Sequence, residues 1–134
     1  MLSELNEYLN ADMLDDYWYD DALFICQDIL KEFSDDSWME LLKAISNESE
    51  RWRIRLAECM GDNQSPYEFQ CIMKMIHIDN NDLFLACIDA LRGMDLSFLQ
   101  AVDKEEIKNQ VKLLMEESSP PAKKVFQDFL EKCV

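Results

Sequence analysis

Only two glycines and three prolines occur among the 134 residues of this chain, and each falls where a helix should start or stop. A chain so poor in turn-formers, with apolar residues recurring at three- and four-residue spacing, reads as all-α.

The helices can be placed one by one. A short first helix near Leu2 to Leu9 precedes a second from about Asp16 to Phe33, where Trp18, Ala22, Ile25, Cys26, Ile29 and Phe33 recur on one side. Ser37-Trp38-Met39-Glu40 has the form of a capping box and predicts the start of a third helix ending near Ile45. The fourth begins around Asn47 to Glu50, carries Trp52, Leu56, Cys59 and Met60 on its apolar stripe, and stops at Gly61, which can adopt a left-handed cap. Its opposite face is expected to hold Arg51, Arg55, Glu58 and Asp62. Ser65-Pro66-Tyr67-Glu68 is the clearest start signal, with Phe69, Ile72, Met73 and Ile76 as the buried stripe. A sixth helix from about Asn81 to Arg92 buries Phe84, Cys87, Ile88 and Leu91, and the spacing of Leu96, Leu99 and Val102 predicts a short helical stretch after it. Two longer helices close the chain, opening at Asp103-Lys104-Glu105-Glu106 and at Ser119-Pro120.

These elements form helix pairs with a weak internal period. Trp52 through Gly61 can be laid over Leu83 through Arg92, matching Leu56 to Cys87, Met60 to Leu91 and acidic Glu58 to Asp89. Such spacing suits stacked helix-turn-helix units, each unable to bury its own apolar face alone. Stacking leaves a curved surface built from one set of helices, and surfaces of that kind bind partners more often than they catalyse.

Charge is distributed unevenly over this frame. Of the first forty residues twelve are acidic and only Lys31 is basic, so this segment carries eleven of the fifteen net negative charges. The density peaks from Asp12 to Asp21, where Tyr17, Trp18 and Tyr19 are interleaved with five aspartates, and recurs at Asp35-Asp36-Ser37-Trp38. A field of this kind repels nucleic acid and anionic membranes and speeds encounter with basic protein surfaces. Trp18 and Trp38 lie on apolar stripes and are expected in the core. Tyr17 and Tyr19 flank the stripe, so they and the aspartates around them are the residues a partner should touch.

The length suits a single domain, 1–134, with acidic N-terminal helices over about 1–46 and stacked pairs over about 47–134. An apolar content of 49% with seven Phe, three Trp, four Tyr and eight Met is that of a folded chain rather than an acidic tail. The five cysteines (Cys26, Cys59, Cys71, Cys87 and Cys133) are odd in number, widely spaced and set on apolar faces. They read as reduced, buried side chains of a cytoplasmic protein, with no export signal and no apolar run long enough to span a membrane.

Catalytic constellations are scarce. Glu4-Leu5-Asn6-Glu7 with Asp12 and Asp15 has the flavour of the carboxylate sets with which helical nucleotide pyrophosphatases hold magnesium, but a second matched pair and a phosphate-holding cation are missing. A magnesium-dependent nucleotide hydrolase is therefore the alternative reading rather than the main one. His77, the only histidine, follows Cys71 at no zinc spacing and is expected at a helix end near the core, so no metal site or cofactor is expected. There is no nucleophile elbow, triad or glycine-rich phosphate loop. Arg51, Arg53 and Arg55 should pair with acidic residues such as Glu58 or Asp89.

The run Asp-Asp-Tyr-Trp-Tyr-Asp-Asp, then Ser-Asp-Asp-Ser-Trp, then Trp52 through Gly61 and Asp82 through Arg92, resembles the small HEAT-like immunity proteins of bacterial contact-dependent and polymorphic toxin systems. The resemblance covers about Asp15 to Gly93. It implies a HEAT-like α-solenoid of about eight helices and a cytoplasmic, non-enzymatic protein that holds one cognate toxin domain, often a nuclease, as a tight heterodimer. A nuclease groove must be basic to hold phosphates, which an acidic cap complements. The partner-binding residues expected on this reading are Asp12, Asp15, Asp16, Tyr17, Tyr19, Asp20, Asp21, Asp35 and Asp36. A HEAT-like adaptor or nucleic-acid mimic differs from it mainly in partner.

Overall fold

Most segments in which apolar residues recur at helical spacing are helical, although the stretch drawn through Leu96, Leu99 and Val102 is broken at residues 99–100, and in the computed structural model, which describes residues 1–61 and 65–133, the chain forms eight helices and no strand among the described residues. They are α1 (Leu2–Asn10), α2 (residues 15–31), α3 (Asp35–Ala44), α4 (Glu50–Glu58), α5 (Pro66–Met75), α6 (Asn81–Arg92), α7 (Ala101–Met115) and α8 (Pro120–Lys132). Single 3₁₀ turns follow α3 at Ile45–Asn47 and precede α7 at Leu96–Phe98. Asp62, expected on the outer face of the fourth helix, lies outside the described residues.

Serine and asparagine caps set most starts. Ser49, Ser65, Asn80 and Ser119 each accept a hydrogen bond from a backbone N–H in the first turn of α4, α5, α6 and α8. The third helix departs from the expected capping box. Ser34, three residues earlier, is the N-cap and accepts from the Ser37 amide, so Asp35 and Asp36 fall inside the first turn of α3. There their charge complements the positive end of the helix dipole, which favours the earlier start.

Packing runs in order along one layer. α1 lies against α4, α4 against α6, and α6 against α8, while α3 meets α5 on the other side and α7 packs chiefly on α8. One apolar core runs through the whole stack, from Leu5 and Leu9 to Phe126 and Phe129. At the C-terminal ends of α4 and α6 the backbones nearly touch: a Cβ on Gly61, whose φ is +111°, would lie 2.9 Å from the Ala90 carbonyl oxygen, and one on Gly93 would lie 3.0 Å from that of Gly61. Only glycine tolerates both the close approach and the positive φ at position 61.

All five cysteines are buried with free thiols. Burial pushes the Cys71 and Cys87 thiols up to about 12, so they are inert to modification at neutral pH. The apolar stripes are rotated slightly from expectation on α5, where Cys71, Ile72, Met75 and even Glu68 are buried while Phe69 and Met73 are half-buried. His77 is exposed rather than near the core, because α5 ends two residues before it and the chain has already turned outward.

The largest local departure is in α2. Its middle, Trp18–Ala22, is a turn of π-helix in which the Leu23 amide donates to the Trp18 carbonyl five residues back. Trp18, Ala22, Cys26 and Leu30 are consequently all buried at four-residue intervals, whereas Ile25 and Ile29 are only half-buried. In an unbroken α-helix each four-residue step drifts by about 40°, and the widened turn absorbs part of that drift.

Candidate functional site

The N-terminal helices are held to the stack by arginine and tryptophan side chains of α2 and α4. Arg55, only 7% exposed, donates to the carbonyl oxygens of Tyr8, Leu9 and Ala11 at 3.2, 3.2 and 2.7 Å, satisfying the otherwise unpaired C-terminal end of α1. Its guanidinium also lies over the Trp18 ring, 5.2 Å from the centroid. Arg51 bonds Asp12 and the Asn10 carbonyl, and Arg53 bonds the Ile45 and Ser46 carbonyls. The expected pairing with acidic residues is met by Arg51 through Asp12, whereas the two acids named as examples, Glu58 and Asp89, form no salt bridge with the cluster among the described residues. Helix-end carbonyls are the main partners, because α4 crosses the ends of α1 and α3, and Asp89 is instead bound by Arg92.

Glu58 is the other anchor. Its two oxygens accept from Trp18 Nε1 at 3.2 Å and from the Tyr19 hydroxyl at 2.6 Å, which docks α2 onto α4. Burial pushes the Glu58 carboxyl up from the ordinary 4.5, and the bonds from Tyr19 and Trp18 oppose that push. The Tyr19 hydroxyl is raised far above its ordinary value, chiefly by donating to Glu58. Arg55 is lowered by burial and by the neighbouring Arg51.

From this anchor a groove runs across the layer. One cavity of about 300 Å³ lies among Asp15, Tyr19, Glu50, Ile54 and Glu58, and a second of about 460 Å³ continues from Tyr19, Ile54 and Glu58 to Asp82, Asp89 and Val125. The two share Tyr19, Ile54 and Glu58, so α2, α4, α6 and α8 all contribute to one acid-lined trough with aliphatic side chains set in it. A lysine or arginine entering such a trough would find carboxylates for its charge and apolar surface for its stem.

Each expected partner-binding residue is at the surface: Asp12, Asp15, Asp16, Tyr17, Tyr19, Asp20, Asp21, Asp35 and Asp36 are all exposed. They do not form one constellation. Asp15 and Tyr19 line the groove, Asp12 is paired with Arg51 at 2.9 Å, and Asp35 accepts from Tyr67, whose hydroxyl is raised by that bond. Trp18 and Trp38 are buried as expected, the latter stacked on Tyr67. The carboxylates of Glu4, Glu7, Asp12 and Asp15 do not converge on a common ligand position among the described residues.

The structure also brings forward residues that the sequence did not place among the partner-binding ones. Leu14 is 81% exposed and Phe24 56% exposed, and with Tyr17 (46%) they leave apolar side chains among Asp16, Asp20, Asp21 and Asp28. Glu50, Asp82 and Asp89 complete the groove from distant helices. The recurrence of an acid at Glu58 and Asp89 in the internal period was the available signal for the last of these. No helix among the described residues is long and apolar enough to cross a membrane. No known protein family, curated protein or solved structure matches the chain.

Proposed function

We propose that this chain is a cytoplasmic immunity protein, a stoichiometric inhibitor that binds the basic nuclease domain of a cognate toxin and performs no chemistry itself. The observation that carries the reading is the acid-lined groove across α2, α4, α6 and α8, to which a separate outer face at Leu14, Tyr17 and Phe24 adds exposed apolar side chains among aspartates. Dense negative charge steers a cationic domain into contact, and desolvated apolar anchors within a charged rim then hold it. A nuclease offers the complement, since its substrate-binding surface must be cationic to hold phosphates. The all-α architecture of eight helices that bears the groove supports the HEAT-like resemblance.

The test is capture from the native cells at low and high salt, followed by purification of the captured domain. The reading expects a basic nuclease retained in stoichiometric amount, its activity abolished by one equivalent of this protein. Joint substitution Asp16→Lys and Asp20→Lys should slow association and flatten its salt dependence while leaving the helical circular-dichroism signal unchanged. A captured domain without nuclease activity, or one still active when saturated, rules the reading out.

A further inference from the structure

The chain's single histidine points to a second site, away from the groove. His77 sits on the connection between α5 and α6, and Asp103 and Glu106 lie one turn apart in the first half of α7. One ligand atom from each of the three falls within 4.8 Å of the other two. None of these side chains makes a hydrogen bond or ion pair with a described residue, and Lys108 on the same helix pairs instead with Glu105 at 3.6 Å. A cavity of about 290 Å³ opens beside them, with Asp79, Asn80 and Gln110 on its walls and Phe84 and Ile107 at its apolar side.

We propose that His77, Asp103 and Glu106 bind a first-row divalent transition ion of the zinc class, with its remaining coordination positions turned towards this cavity. The donor set decides the class. A neutral imidazole nitrogen with two carboxylate oxygens is a zinc-type set, whereas magnesium and calcium prefer oxygen alone and gain nothing from the histidine. The charge also closes, since a dication neutralises two carboxylates that otherwise repel one another across a helix turn. The thiols do not compete in the folded protein, because all five are buried in the core. Binding has a structural consequence as well. α7 packs chiefly on α8, and an ion shared with His77 ties it to the α5–α6 connection across a long stretch of sequence.

Because the histidine is unique, its imidazole resonances report on this site alone. In the full-length protein one equivalent of zinc should shift the His77 ring signals stoichiometrically, with a parallel rise in melting temperature, while millimolar magnesium leaves them unmoved. Joint substitution Asp103→Asn and Glu106→Gln, at positions outside the core, should weaken the zinc response by at least about tenfold. Circular dichroism of that variant checks that it is folded. An imidazole that ignores zinc, one that responds equally to magnesium, or a folded double variant that responds as the wild type does would each overturn the assignment.

Discussion

α6 and α2 carry similar amounts of apolar side chain and use them in opposite ways. α6 lies between α4 and α8 and buries Leu83, Phe84, Cys87, Ile88, Ala90 and Leu91, with ion pairs from Arg92 to Asp89 and Asp128 at its end. α2 lies at the edge, buries Trp18, Ala22, Cys26 and Leu30, and leaves Tyr17, Phe24 and, just before its first turn, Leu14 exposed among aspartates. The central helix is held by area removed from solvent. The edge helix is held by a few polar anchors, Glu58 and Arg55 above all, and its surplus of apolar surface is free to meet another molecule.

The steepest way to break this contrast is through the core of α6. Leu91→Ala should cost about 2–5 kcal/mol and lower the melting temperature by on the order of 10 °C, with the loss spread over the whole domain. Arg55→Met should cost less, about 2–3 kcal/mol, because packing volume is kept while the carbonyls of Tyr8, Leu9 and Ala11 lose their donor. Its signature is local: hydrogen exchange should accelerate across α1 and α2 while α6 keeps its protection. Uniform acceleration in both helices would mean that the edge is not separately anchored.

Glu58 sharpens the comparison by pH. Its folded-state carboxyl is raised above the ordinary 4.5, chiefly by burial, so the folded protein binds that proton more tightly than the unfolded chain does. Stability contributed through this group therefore rises as pH falls from neutrality towards 4.5 and is lost as pH rises through the folded value. Glu58→Gln keeps a side-chain oxygen to accept from Trp18 or Tyr19 but cannot titrate. The difference in urea stability between wild type and variant should shift in the variant's favour as pH rises over that window. A difference independent of pH would show that Glu58 has no raised value in the folded state.

How much of this was legible in the sequence differs between the same two helices. α6 was readable to its ends, since Asn81 to Arg92 is an amphipathic α-helix with a polar cap and a glycine stop. In α2 the period of 3.6 selected Ile25 and Ile29, whereas the π turn at Trp18–Ala22 buries Leu30 in their stead. A backbone insertion of that kind leaves no residue type as a marker. The groove was half legible, because an acidic surface could be counted but Glu50, Asp82 and Asp89 join Asp15 and Tyr19 only through the packing order of the helices. The sequence neighbours of His77 offer no ligand spacing, and the carboxylates beside it come from a helix that begins long after it.

The smallest expected effect on stability is the most informative about function. Leu14→Ser and Phe24→Ser replace side chains that are already mostly in water, so each should change folding stability by no more than about 0.5 kcal/mol. If the outer face of α2 is where the partner is held, the pair should nonetheless weaken the complex by at least about tenfold, because aromatic and aliphatic anchors inside a charged rim carry most interface energy. The kinetics separate the two kinds of residue. Loss of the apolar anchors should appear in the dissociation rate with association nearly unchanged, whereas charge reversal at Asp16 and Asp20 should appear in association and its salt dependence. An interface confined to the groove would give another pattern, in which Leu14 and Phe24 are silent and Asp82→Lys together with Asp89→Lys accounts for the lost affinity.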